Sequence, residues 1–242
     1  MGRVMLKEVS SIIGIYRYPV KSMAGQQLDN AEIGWHGLAG DRRFALMRQG
    51  VTNGFPWLTA SKLPQLVRYT PLHKNPIDQP DVPTHIRTPD GKELELYSEA
   101  LKQELSNAHG GPVDVMRLNH GIFDEAHISI ISIATIKALE QAVGIELDVR
   151  RFRPNLLVKT INNEPFEEHN WVGKTIRIGN ASLHIYMQDI RCVMINIDPD
   201  SGESDSRVLK LVAQNYENCA GVYATITATG MISVTDKLYM ET

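Results

Sequence analysis

The sequence predicts a mainly β protein built from barrels or curled sheets rather than a doubly wound fold. Three observations carry that reading. Short β-branched and aromatic runs recur along the chain, and two of them flank the hairpin-forming pair Asp90-Gly91. Helical patterns are few and short. No internal repeat, heptad or low-complexity run is present.

Taken in order, Ser10–Val20 is expected as the first strand, another strand contains Ile33, and Arg43–Met47 follows the Gly40-Asp41 turn. Val67–Tyr69, His85–Thr88 and Glu93–Tyr97 continue the strand pattern. The segment Pro71–Pro89 holds five prolines (71, 76, 80, 83 and 89). Proline lacks the amide hydrogen that a central strand donates, so this segment belongs to loop or sheet edge. Ser98–Ala108 reads as a short helix. Turn formers then cluster at His109-Gly-Gly-Pro112 and at Asn119-His-Gly121, where a domain boundary is expected.

Beyond it, Ile128–Ile131 is an expected strand leading through Ser132, a helix N-cap, into Ile133–Val143. Ile133, Ile136, Leu139 and Val143 share one helical face, and Gly144 closes the helix. Asn155–Lys159 is a strand, and Thr175–Met187 is a hairpin turning at Gly179-Asn180. Val193–Ile197 reads as a strand, Ser206–Tyr216 as a helix, and Val222–Thr229 with Met231–Val234 as closing strands.

Composition narrows the function classes. The chain has 242 residues, 43% hydrophobic and 22% charged, which suits an ordinary globular protein of one large or two smaller domains. With 25 basic and 28 acidic residues the net charge is −3, too balanced for nucleic-acid or membrane-surface binding as a global property. Any anion site must be local. Two cysteines do not make a disulfide scaffold, and they are too few for a four-thiolate iron–sulfur cluster. No apolar stretch is long enough to span a bilayer and the N-terminus lacks a signal-type apolar region, so a reducing cytoplasm is the expected compartment.

Four segments carry chemistry. Arg191-Cys192 puts a thiol beside a fixed cation, which favours the thiolate, the form that acts as nucleophile and soft-metal ligand. On position alone, a cysteine in an apolar strand is more often a small buried hydrophobe. Asp189 stands three residues earlier, a carboxylate near that one soft ligand, but the short-spaced ligand pairs of a zinc site are missing. Tyr18-Pro-Val-Lys21-Ser22 offers an ammonium and a hydroxyl at a turn, a pair able to hold an oxyanion. Gly37-Leu-Ala-Gly-Asp41-Arg42-Arg43 combines tight turning with a carboxylate able to orient an arginine. Finally, Arg150-Arg-Phe-Arg153-Pro-Asn155 packs three arginines into four residues, self-repelling unless an anion or carboxylates face them.

Two segments only imitate chemistry. Asp198–Asp205 resembles a calcium loop, but its glycine falls one place early and Leu209 stands where a bidentate glutamate belongs, so it reads as a turn. The eight histidines include no HExxH pairing. Cys219, in an apolar context, is expected to be a buried structural thiol.

Taken together, Tyr-Pro-Val-Lys-Ser22, Gly-Leu-Ala-Gly-Asp-Arg42, Arg-Phe-Arg-Pro-Asn155, Pro165-Phe-Glu-Glu168, Arg191-Cys192, Asp198-Pro-Asp-Ser-Gly202 and Gly221-Val-Tyr223 resemble, in this order, the MOSC proteins. Those are the molybdenum cofactor sulfurase C-terminal-like proteins, here preceded by the MOSC N-terminal β-barrel. The resemblance covers nearly the whole chain, and the amidoxime-reducing components are the nearest functional relatives it suggests. It implies a β-barrel MOSC domain with a few peripheral helices over residues 119–242. A smaller β-barrel-like N-terminal domain would occupy residues 1–118. It further implies that Cys192 is the thiolate ligand of molybdenum and the catalytic residue. Lys21, Ser22 and Arg42 would face the phosphate and pterin of molybdopterin from the N-terminal part, Arg153 and Asn155 from the MOSC part, and Tyr223 would line the same pocket. The chain departs from the family pattern at Leu58-Thr-Ala-Ser61, where many relatives carry Thr-x-Arg, and at His169-Asn170-Trp171.

The expected function is therefore a molybdenum-cofactor oxidoreductase that reduces small N-hydroxylated or related N-oxygenated molecules. Electrons would come from a separate redox protein, with no iron–sulfur cluster, pyridoxal phosphate, nucleic acid or membrane involved. An alternative is a sulfur carrier or cofactor-handling module with a persulfide on Cys192. A third is a binding scaffold in which Cys192 is structural and the basic cluster takes some other anion.

Overall fold

A computed structural model describes residues 5–52, 54–74, 81–121 and 125–241. Seven strands close into a barrel. Leu6–Arg17 pairs antiparallel with Leu156–Thr160, which runs parallel to Ile128–Ser132. From there the order continues antiparallel through Cys219–Ala228, Ala181–Ile190, Thr175–Ile178 and Lys237–Glu241, which returns to Leu6–Arg17. Closure leaves no free edge in the ring, and Gln26–Leu28 is added outside it on Leu6–Arg17. The interior is filled by alternate side chains including Ile12, Ile15, Ile130, Val158, Ile176, Leu183 and Val222.

All five residues of Ile128–Ser132 are buried. Ile128 and Ile130 face the barrel interior, whereas Ile131 packs with Ile136, Leu139, Val208 and Val212 of two outer helices. Those helices are α2 (Ile133–Val143) and α3 (Arg207–Asn215), preceded in the chain by α1 (Glu99–His109). The Ser132 hydroxyl caps α2 by accepting from the Thr135 amide at 3.1 Å, and Gly144 ends it in the left-handed conformation. Ser98 and Gly110 do the same for α1. At α3, Ser206 makes no side-chain cap. Instead Asp205 accepts from the Arg207 amide and Asn196 from the Leu209 amide.

The N-terminal segments build a second core of Phe44, Leu46, Leu58, Leu66, Tyr69, Ile86, Leu101 and Val113. Around it lie two three-stranded sheets, Val113–Arg117 with Phe44–Arg48 and Trp57–Leu58, and Thr70–Leu72 with His85–Arg87 and Glu93–Glu95. The fold is mainly β, as the strand pattern predicts. Leu6–Arg17 lies in the large barrel although it precedes residue 118, so the chain enters the barrel first and returns to it after the N-terminal core.

Three local expectations are corrected. The first strand ends at Arg17 rather than Val20, because Pro19 cannot donate and the chain turns there. Val67–Tyr69 is not a strand: Pro64–Arg68 forms a 3-10 turn, with Pro64 presetting its first residue, and the strand starts at Thr70. Val193–Ile197 is likewise not a strand, since Val193–Asn196 forms a 3-10 turn with the Ile195 amide donating to Cys192. Pro71 sits in an edge strand, as proline requires, whereas Pro76 and Pro80 lie outside the described residues.

Candidate functional site around Cys192

Where the barrel meets the N-terminal core there is a cavity of about 340 Å³, lined by Lys21, Ser22, Arg42, Arg153, Cys192 and Tyr223 among others. Six of the seven sequence-derived site residues thus converge from segments up to two hundred positions apart. Asn155 does not line it.

Cys192 follows the strand Ala181–Ile190, whose pairing with Cys219–Ala228 shifts register between Gln188 and Ile190. That irregularity lets the chain leave the barrel wall. Arg191 turns inward and is buried. Its Nε donates to the Ala220 carbonyl at 2.7 Å, its Nη1 to the Phe152 carbonyl at 2.9 Å, and its Nη2 lies 3.0 Å from Asp189 Oδ2. The backbone is held too, with the Arg191 amide donating to Asn218 and the Asn218 side chain donating back to Arg191, both at 2.8 Å. Gly221 makes room for this arrangement. It has φ +82°, and a Cβ there would come within 2.6 Å of the Ile130 carbonyl and 3.0 Å of Arg191 Nη2.

Cys192 itself is exposed, the opposite of what its apolar surroundings suggest, while Cys219 is the buried thiol, pushed up in pKa by burial. Asp189 is 1% exposed and accepts from Ser129 Oγ at 2.8 Å and from Tyr223 as well as pairing with Arg191. Burial pushes its carboxyl above the usual range, against the pull of Arg191 and the two hydroxyl donors.

The cationic side of the cavity is organised on Tyr18. Its buried ring lies 4.1 Å from the Arg153 guanidinium carbon and 4.9 Å from that of Arg42. Asp41, fully buried, accepts from the Tyr18 amide at 2.7 Å and pairs with Arg42, as the Gly-Asp-Arg motif suggested. Burial opposes the charge on Arg42, but the Asp41 carboxylate outweighs it and holds the guanidinium more firmly protonated. Arg42 also donates to the Arg153 carbonyl, and Arg153 donates to the Met23 carbonyl at 2.8 Å. Burial raises the Tyr18 phenol well above its ordinary pKa, so it stays neutral.

Backbone strain collects here. Ser22 (φ 67°), Arg42 (φ 50°) and Arg153 (φ 50°) all occupy the left-handed region disfavoured for side-chain-bearing residues, and all three line the cavity. The residue types alone carry no signal of that.

Asn155 stands in the wall beside the cavity rather than in its lining. Its amide nitrogen donates to Tyr16 and Asp41, and its oxygen accepts from the Ser129 amide, so the carboxamide is occupied within the wall. The arginine cluster also divides. Arg150 pairs with Asp148 and Asp200 on the surface, and Arg151 pairs with Asp198 and donates to the Asn196 carbonyl. Carboxylates two to fifty positions away therefore offset two of the three charges, while Arg153 faces the cavity. Pro165-Phe-Glu-Glu168 serves α2: buried Glu168 accepts from the Ser132 amide and Thr135 hydroxyl, and the Phe166 amide donates to Thr135.

The sequence reading missed Phe55, Thr59, Ser61, Glu125, Ser129, Val193 and Met194, all of which line the cavity. The i, i+2 hydroxyls of Thr59 and Ser61, 2.7 Å apart, were the one legible signal among them.

The MOSC domain model matches residues 106–239, and the model for the MOSC N-terminal beta barrel domain matches residues 9–123. Mitochondrial amidoxime reducing component 2 of Bos taurus is 26% identical over 129 residues, covering 48% of this chain and 37% of that protein. Molybdenum cofactor sulfurase of Caenorhabditis briggsae is 23% identical over 86% of this chain and 32% of its own length. The chain thus matches only about a third of the length of these relatives. The YUAD protein from Bacillus subtilis superposes with a TM-score of 0.49 at 13% identity, over 98% of this chain and 99% of that one.

Proposed function

The chain belongs to the MOSC domain family, and from that premise we propose that it binds the molybdenum cofactor and reduces N-hydroxylated or related N-oxygenated small molecules. The observation that carries the reading is one exposed thiol, Cys192, in the same cavity as buried Lys21 and the partly buried Arg42 and Arg153. The donor set fits a metal that brings its own ligands. Among the described residues no three His, Cys, Asp or Glu side chains form a metal cage. A dithiolene-bound molybdenum needs only one soft protein ligand, which Cys192 offers.

Cys192 would ligate the metal, Lys21, Ser22, Arg42 and Arg153 would hold the phosphate and pterin, and Tyr223 would line the pocket. When bound, the cofactor supplies two-electron oxygen-atom chemistry. The chain's own residues do the positioning. Asp41 and Tyr18 orient the two guanidiniums, so their charge is in place before a phosphate arrives. Arg191 anchors the backbone before Cys192, and Asp189 anchors Arg191 and the Tyr223 hydroxyl. Re-reduction would come from a separate redox protein. A reducing, cytoplasmic setting belongs to the same proposal. No helix among the described residues is long and apolar enough to cross a membrane.

The sulfur-carrier reading keeps a specific support, the exposed thiol together with a relative named molybdenum cofactor sulfurase. One experiment separates the two. Protein purified from a cofactor-competent host is assayed for molybdenum per chain, beside Cys192→Ala. Near-stoichiometric metal in the wild type and its loss in the variant is expected. Metal-free wild type, or equal metal in both, refutes the proposal, and a one-sulfur mass increase on Cys192 supports the alternative.

A further inference from the structure

Cys192 is flanked by apolar side chains that the chain leaves in solvent. Ile190 is 55% exposed and Val193 38%, and both line the cavity, as does Phe55 at 50%. Scattered exposed aliphatics are ordinary, but three bordering one concave site are not explained by chance coverage of a surface. The backbone presenting the first two is held on both sides by the paired Arg191–Asn218 hydrogen bonds. Arg191 also lines the cavity, but its guanidinium is buried on the Ala220 and Phe152 carbonyls and on Asp189, so the exposed side chains of this run are the thiol and its apolar neighbours. Lys21, Arg42 and Arg153 bring further cations to the cavity from other segments, and the Phe55 ring centroid lies 5.9 Å from the Lys21 ammonium.

We propose that Ile190, Val193 and Phe55 form a substrate subsite that takes the neutral apolar body, aryl or branched alkyl, of a molecule whose N-oxygenated end reaches the centre that Cys192 would hold. This rests on the reading of Cys192 as the ligand of that centre. The occupant is a small molecule rather than a protein because the apolar residues border the concave mouth of the thiol's own cavity. A preorganised apolar lip discriminates by contact area lost or gained, without charge. The preferred substrates are therefore those with a hydrophobic group on the oxygenated nitrogen or on the carbon bonded to it, ahead of hydroxylamine-sized ones.

The test has two arms. In the first, which needs no metal, Cys192 is alkylated by N-phenylmaleimide and by iodoacetamide, with rates normalised to a free small thiol and the site verified by peptide mapping. Wild type is expected to favour the phenyl reagent, and Ile190→Asn with Val193→Asn to lower that preference by ~10-fold, the order of a lost apolar contact. Phe55→Ser, on a separate segment, guards against a misfolded double variant, and its preference falls in the same direction. In the second arm, cofactor-loaded protein with its electron donor is compared on an aryl amidoxime and on hydroxylamine. The aryl-to-hydroxylamine ratio of kcat/KM falls in the variants. An unchanged labelling preference in folded variants overturns the subsite. So does an equal fall for both substrates, which would make the lip a docking face for the electron donor. Metal-free wild type would defeat the molybdenum reading while leaving the labelling arm decisive.

Discussion

Asp189 and Arg191 form a buried ion pair, Oδ2 to Nη2 at 3.0 Å, immediately before the exposed thiol of Cys192. The pair joins two walls. Asp189 ties it to Ser129 and Tyr223 on neighbouring barrel strands, and Arg191 ties it to the carbonyls of Ala220 and Phe152. A cation next to a cysteine in sequence suggests thiolate activation. Here that cation is engaged in holding the backbone, and the anion-facing charge comes from Lys21, Arg42 and Arg153.

Replacing Asp189 with Asn keeps the shape but leaves the Arg191 guanidinium buried without its counter-charge. Breaking such a pair from one side costs about 3–5 kcal/mol. Asp189→Asn is expected to lose stability of that order in urea unfolding and to change the alkylation rate of Cys192 in the folded protein. Wild-type values for both would show that the pair does not position the thiol.

Gly221 admits no side chain. Its φ of +82° alone costs an Ala about 1–3 kcal/mol, and the new Cβ would overlap the Ile130 carbonyl and crowd Arg191. Gly221→Ala should lower the thermal midpoint and disturb Cys192 labelling together. A drop in stability with unaltered labelling would confine the glycine's role to barrel packing.

Elements with local punctuation were legible in the sequence. Ser132 and Gly144 bracket α2, Asp90-Gly91 marks a hairpin, and both follow from short-range chemistry. The sequence of Val193–Ile197 is ambiguous because its apolar residues suit a strand as well as the turn they form, and the packing of Ile195 against the outer helices decides. The strand Val113–Arg117 was missed among turn formers, and its pairing with Phe44–Arg48 is non-local. At the site, residue identities were readable from motif order. Burial was not: Cys192 and Cys219 sit in similar apolar contexts yet differ in exposure, and the carboxamide of Asn155 is consumed by partners distant in sequence.

Glu93 links acid stability to the N-terminal sheet. Hydrogen bonds from Lys74 and then Arg87 lower its pKa to about 2. A carboxylate depressed in the folded state stabilises it above the unfolded pKa, about 4.3, and that contribution is lost as pH falls through the folded value. Thermal midpoints should therefore decline between about pH 4.5 and pH 2. In Glu93→Gln the decline over that window should be shallower, and an identical slope would exclude Glu93 as a contributor.

Ser22 occupies the third position of the turn Val20–Met23, closed by the Met23 amide donating to the Val20 carbonyl at 3.1 Å. Its φ of 67° is the conformation that favours glycine in such a turn. Retaining serine there costs about 1 kcal/mol of backbone strain, yet the residue lines the cavity beside Lys21. Ser22→Gly should therefore stabilise the fold by about that amount while weakening phosphate binding to the metal-free protein. Thermal unfolding reads the first effect and titration calorimetry with inorganic phosphate the second. Stabilisation without loss of phosphate affinity would mean that the hydroxyl contributes nothing to the anion site, and that the strain at residue 22 serves only to aim Lys21.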